Sequence, residues 1–272
     1  MMNRRELLLT LPAAPLLAAA KPHVVFVTGD DEYRSEVTMP MIASILESRC
    51  GLRTTTLFAK PTPQTKNDIP GLEALDHADM AVFYLRFRAL PENQLGHILK
   101  YAESGKPLAG LRTSTHAFLY PKGHPRESLN QDFPRDVFGQ IWTRHHGHRS
   151  STDVTVAEDQ KDHPILRGVE AKFHVRSWLY HVNPLPPVST PLLIGRAVNP
   201  EKQDWGPNAV AWTKQRKGAR VFFTTMGHPE DFTLPSVRRL VVQGILWALD
   251  RKIPRHGVNV DSGYAPPSTT PG

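Results

Sequence analysis

Up to Leu111 the apolar positions of the chain follow two alternating patterns. Four short runs, His23–Gly29 (HVVFVTG), Arg53–Ala59 (RTTTLFA), Ala78–Phe87 (ADMAVFYLRF) and Pro107–Leu111 (PLAGL), are apolar or β-branched and read as strands. Between them Ile42, Ile45 and Leu46, and then Leu95, Ile98, Leu99 and Ala102, recur at helical spacing. Ser35 opens the first of these helices, with Pro40 in or near its first turn, and Gly51 stops it. Strands alternating with helices predict a parallel sheet with helices on both faces and right-handed crossovers. Residues 117–150 break the pattern; they are rich in Pro, Gly, His and Arg and read as a long irregular excursion. Strand character returns at Ser151–Glu158, Phe173–Val182 and Thr190–Val198. Asn208–Gln215 and Ala219–Thr225 predict a hairpin turning at Lys217-Gly218. Val237, Leu240, Val241, Gly244, Ile245 and Ala248 mark a last amphipathic helix, and the Pro-rich polar stretch 254–272 is expected to be an extended tail.

Several of the strand runs end abruptly in chemistry. In an open parallel sheet ligands bind beyond the carboxyl ends of the strands. The first run delivers Asp30, Asp31, Glu32 and Arg34; the third delivers Arg86 and Arg88; the fourth delivers Arg112, Thr113, Ser114, Thr115 and His116. The last strand runs into His228-Pro229-Glu230, and the irregular excursion ends in His145, His146 and His148. Guanidinium forks suit carboxylates, phosphates or vicinal oxygens, and a histidine or carboxylate at the same rim can move protons. Each group also has a structural reading. The acids can decorate a helix N-terminus, the arginines can pair with those acids, and the hydroxyls can cap a helix. The His-His-x-His spacing fits no metal signature, so no residue is assigned as a metal ligand. A divalent ion bound by this cluster is kept only as an alternative.

Composition narrows the class. The chain has 272 residues, 40% hydrophobic and 22% charged, enough for one domain over residues 21–253. A formal charge of +7 and a pI of about 9.6 would suit a polyanion, but Lys and Arg are scattered, with no basic run or nucleic-acid motif. Nucleic acid is therefore not an expected partner. Residues 1–20 carry Arg4 and Arg5 before the apolar Leu7–Leu17 and the small residues Ala18–Ala20. That is a signal-peptide pattern of twin-arginine type, predicting a periplasmic or secreted protein with no permanent membrane span once mature. Cys50 is the only cysteine, so no internal disulfide can form, and it reads as a packing residue.

Taken together, Gly29-Asp-Asp-Glu-Tyr-Arg34, Leu85-Arg-Phe-Arg88, Gly110-Leu-Arg-Thr-Ser-Thr-His-Ala-Phe118, His145-His-Gly-His148, His163-Pro-Ile-Leu-Arg-Gly168, Val210-Ala-Trp-Thr213 and Phe223-Thr-Thr-Met-Gly227 resemble the ThuA-like family, named for trehalose utilisation. The resemblance covers about residues 22–253. It implies an α/β fold of the flavodoxin-like, class I glutamine amidotransferase-like type and a link to disaccharide or keto-sugar metabolism. Those amidotransferases carry a nucleophilic cysteine after Gly-x at the strand-to-helix elbow and a later His-Pro-Glu. Here Gly110-Leu111 is followed by Arg112, and His228-Pro229-Glu230 matches the later motif. Without a thiol no glutamine thioester can form.

The resulting expectation is a carbohydrate site with Glu32, His116 and His228 as proton-transfer residues. Asp30, Asp31, Arg34, Arg86, Arg88, Arg112, Thr113, His145, His146, His148 and Glu230 would contact the substrate. No cofactor is required. A non-catalytic sugar- or partner-binding module and a metal-dependent hydrolase are the alternatives, and homo-oligomerisation is left open.

Overall fold

The computed structural model describes residues 20–201 and 203–267. The signal-peptide reading falls on residues 1–20, all but the last of which lie outside the described residues. Nine strands form one sheet: β1 (His23–Gly29), β2 (Arg53–Leu57), β3 (Met80–Leu85), β4 (Leu108–Leu111), β5 (Ser151–Val156), β6 (Lys172–Val175), β7 (Ser189–Val198), β8 (Asn208–Arg216) and β9 (Ala219–Thr224). Their order is β2-β1-β3-β4-β9-β8-β7-β5-β6. The five strands from β2 to β9 are mutually parallel, so β1, β3, β4 and β9 point their carboxyl ends to one rim. From β9 onward the sheet continues antiparallel. The β8–β9 hairpin turns at Lys217-Gly218, as its sequence predicts.

Alternate residues of the parallel strands feed two cores. Val24, Phe26, Val82, Tyr84 and Phe222 pack under α1 (Ser35–Cys50) and α4 (Pro235–Ala248). Val25, Val27, Phe83, Leu85 and Phe223 pack under α2 (Glu92–Glu103) and α3 (Leu129–Phe138). The result is the flavodoxin-like layering of helices on both faces of the sheet. Leu95 and Ile98, the stripe that identifies α2, are fully buried and contribute about 1.5–3 kcal/mol each. Pro40 falls in the second turn of α1 rather than the first.

Three elements depart from the sequence reading. The excursion 117–150 contains α3, which buries Phe133, Val137 and Phe138 and ends at Gly139 with a left-handed φ of 94°. Its stripe is short and Pro134 sits inside it, so its periodicity is weak. Phe173–Val182 is a strand only through Val175. Beyond it the backbone leaves the ladder because Ser177 bonds to Asp231 instead. The tail beyond Pro254 is extended yet packed: Val258 and Val260 are buried, with Val258 N donating to Gln243 Oε1 and Arg238 Nε donating to Val260 O. No helix of the described residues is long and apolar enough to cross a membrane.

Candidate functional site

The parallel strand ends converge on Arg112, the first residue after β4. Its φ of 40° places an arginine in the left-handed region, a conformation that costs about 1–2 kcal/mol. The kink turns the side chain inward, where it is fully buried. Its guanidinium donates from Nη1 to Thr225 O at 2.8 Å and from Nη2 to Tyr33 Oη at 3.1 Å. It lies 4.2 Å from the Tyr33 ring centroid, 4.7 Å from that of Tyr180 and 5.5 Å from that of Trp178. Among the described residues no carboxylate comes within 4.0 Å of it. A buried guanidinium held by rings and neutral oxygens leaves a local excess of positive charge. Gly227 makes this packing feasible: a Cβ there would meet Tyr84 Oη at 2.6 Å and Arg112 Cβ at 3.2 Å.

The aromatic box carries the imidazoles. The Tyr33 ring meets those of Trp178 and His228 at 6.0 and 6.3 Å. His145 lies 5.2 Å from Trp178, and the exposed His148 stacks on Trp178 at 4.2 Å, the rings 4° from parallel. His116 packs between Phe87 (4.8 Å), Trp142 (5.0 Å) and Tyr180 (6.1 Å). A single β-bridge between His145 and Tyr180 ties the two irregular segments together.

Hydrogen bonds fix the tautomers. His145 Nδ1 lies 2.5 Å from His146 O, and a carbonyl only accepts, so Nδ1 carries the proton and Nε2 the lone pair. Thr115 Oγ1 donates its one proton to Arg112 O, so it accepts from His116 Nδ1 and leaves the same tautomer there. His228 is the reverse. Its Nδ1 accepts from Glu230 N at 3.2 Å, which puts the proton on Nε2. Burial depresses the pKa of all three, and Arg112 depresses each further. His228 falls to about 4, with Asp231 opposing the shift, and His116 drops well below its ordinary value.

Several sequence candidates are occupied structurally. Asp30 is buried and its carboxylate accepts from the backbone N–H groups of Glu32, Tyr33 and Ser35, which shapes the turn into α1. Asp31 meets Lys66 at 2.5 Å, Arg86 at 3.0 Å and Arg88 at 3.6 Å. Burial pushes the Asp31 pKa up, but Lys66 and Arg86 outweigh it and hold it below the ordinary carboxylate value. Arg86 also pairs with Glu32 at 2.9 Å. Arg88 is fully buried and closes the loop after β2 by donating to Pro63 O and Thr65 O. Arg34 is exposed and pairs with Glu36. Glu32 remains at the mouth and accepts from Tyr33 Oη at 3.1 Å. Ser114 is spent on Phe83 O and Leu85 N, whereas the buried Thr113 Oγ1 has no partner among the described residues.

His146 points away from His145, stacking on Trp205 at 4.3 Å. It joins His145, His148, Arg149, Glu201 and Trp205 around a neighbouring cavity of about 400 Å³. Among the described residues no group of three or more His, Cys, Asp or Glu side chains is placed to hold a metal ion. Glu230 is exposed, and the organising carboxylate is the next residue, Asp231, which sequence reasoning missed. Asp231 is buried and accepts from Ser177 N (3.0 Å), Ser177 Oγ (2.5 Å), Gly227 N (3.0 Å) and His228 N (3.1 Å). It thereby locks the Trp178 segment to the His228 turn. Trp142, Trp178 and Tyr180 were also missed; aromatic residues in an irregular stretch carry no periodic signal.

A half-parallel sheet with an elbow after β4 and a His-Pro turn after β9 is a flavodoxin-like α/β protein of the class I glutamine amidotransferase-like type. The sequence profile of the ThuA family, described as trehalose utilisation, matches residues 23–248, and the chain belongs to that family. Comparison with curated proteins gives no match. Among solved structures, a ThuA-like protein from Parabacteroides merdae superposes with a TM-score of 0.63 at 14% identity, covering 88% of this chain and 97% of that one. The carbohydrate deacetylase Agd3 gives 0.51 at 13% identity, covering 85% of this chain and 32% of its own. A β-galactosidase from Rahnella sp. R3 gives 0.50 at 12%, covering 86% and 32%. This chain thus spans about a third of those two enzymes, and at such identities the likeness shows the fold.

Proposed function

We propose that this protein is exported and that it binds and transforms a carbohydrate, an oxidised sugar in particular, in the crevice at the carboxyl ends of β1, β3, β4 and β9. The observation that carries the reading is the chemistry of the crevice wall. A buried guanidinium with no carboxylate sits beneath aromatic rings, and the groups left unpaired around it are donors: Arg112 Nε, Trp142 Nε1, Trp178 Nε1 and the Thr113 hydroxyl. Such a wall favours a ligand rich in acceptor oxygens with apolar faces to stack, which describes a sugar. Membership of a family described by trehalose utilisation supports the same class. Arg112 acts from beneath the site, and Glu32, His116, His145, His148 and His228 face the ligand. Asp30, Asp31, Arg86 and Arg88 shape the rim. Glutamine amidotransferase chemistry is not expected. Arg112 holds the elbow, and Cys50 closes the far end of α1 with its thiol pushed up by burial to about 11.

Thermal shift against disaccharides and ring-oxidised sugars tests the reading. A bound sugar at 100 times its dissociation constant adds about 2.7 kcal/mol. His148→Ala, which removes the exposed imidazole stacked on Trp178, should weaken the response without lowering the melting temperature of the free protein. No shift with any sugar would overturn the assignment. Binding without turnover would favour a sensor or carrier, a reading that uses the same aromatic wall and needs no proton transfer.

A further inference from the structure

The opposite tautomers of His145 and His228 divide the labour of one reaction, and this inference rests on the sugar-binding reading above. We infer that His145 Nε2 is the general base and His228 Nε2–H the oxyanion donor for proton abstraction next to a sugar carbonyl. Both assignments follow from geometry. His146 O holds the His145 proton on Nδ1 and so presents a lone pair at Nε2, while the backbone N–H of Glu230 occupies His228 Nδ1 and so presents an N–H at Nε2. Both rings border the Tyr33–Trp178 pair beside Arg112.

The step balances without a co-reactant. The C–H bond beside the carbonyl breaks and its proton goes to His145 Nε2. Its electron pair becomes the new C=C bond, and the carbonyl pair moves onto oxygen. That oxygen, now negative, takes the His228 N–H hydrogen bond and lies in the field of the unpaired Arg112 cation. A neutral imidazole serves as well here as a charged one, because it donates without having to be deprotonated. Return of the proton to either carbon of the ene-diolate gives epimerisation or isomerisation of the sugar. His116 shares the tautomer of His145 but is enclosed by Phe87, Trp142 and Tyr180, and its stronger depression makes it the poorer base near neutral pH.

The test uses the whole chain and methyl 3-keto-glucopyranoside in deuterated buffer. Proton NMR follows loss of the C–H signals flanking the ketone, and calorimetry follows binding. Wild type should exchange these positions faster than buffer. His145→Gln keeps an N–H for His146 O but has no basic nitrogen; it should bind as before and exchange at least 100-fold more slowly. In His145→Ala, added imidazole should restore exchange. Wild type that binds but does not exchange, or His145→Gln that binds and exchanges at the wild-type rate, overturns the proton-transfer assignment and leaves the sugar site standing. If the ketone does not bind, the carbohydrate reading fails with it.

Discussion

Replacing Asp231 by Asn should separate the two walls of the crevice while changing almost no volume. In the native protein both carboxylate oxygens are spent: Oδ1 on Ser177 N, and Oδ2 on Ser177 Oγ, Gly227 N and His228 N. An amide can offer only one acceptor oxygen. In its better orientation that oxygen takes the three bonds of Oδ2, and the NH2 then faces Ser177 N–H. One stranded buried N–H costs about 1–3 kcal/mol, and the remaining bonds lose the strengthening given by a charged acceptor. The expected destabilisation is about 3 kcal/mol, or a fall in melting temperature of about 6–12 °C for a chain of this size. Urea unfolding should show the loss at an unchanged m-value. Ser177→Ala shares the network, so the double variant should lose at least about 1 kcal/mol less than the sum of the single losses. Losses below about 1 kcal/mol, or strict additivity, would refute the claim that Asp231 joins the His228 turn to the Trp178 segment.

Two further outcomes follow. Arg112→Met fills the aromatic box without charge, so His145 and His228 should both titrate at higher pH in imidazole NMR spectra; unchanged values would mean that Arg112 does not set the field of the crevice. Stability should also decline as the medium is acidified from pH 6.5 toward 4. His228 is held at about 4 when folded against 6.5 for the free group, so in that window the unfolded chain binds the extra proton and acid favours unfolding. His116, His145 and His163 are displaced in the same direction. Denaturant midpoints that stay flat across the window in wild type would exclude this linkage.

The parallel half of the molecule was legible because its signals are local. HVVFVTG and MAVFYL are buried on both faces and could be little else. The rim was legible because polar residues follow those runs at once. What each rim residue does was not, since that depends on partners distant in sequence. Asp31 reads as a ligand-binding acid until Lys66 and Arg86 close on it. Arg88 reads as a free fork until the loop around Pro63 and Thr65 wraps it. His228-Pro-Glu drew attention to the wrong carboxylate, because a motif shows which residues are near in sequence and not which one turns inward. The walls built from Trp142, Trp178 and Tyr180 lie on irregular segments, and only the folded chain brings them together.

The inward turn at position 112 also limits redesign. A cysteine substituted there would inherit the kinked backbone but not an exposed position. Its sulfur would lie at the bottom of a void lined by Tyr33, Trp178 and Tyr180, sealed from an incoming amide and robbed of the cation that keeps the neighbouring imidazoles neutral. Recovering thiol chemistry on this scaffold would therefore require rebuilding the three rings together with the elbow residue.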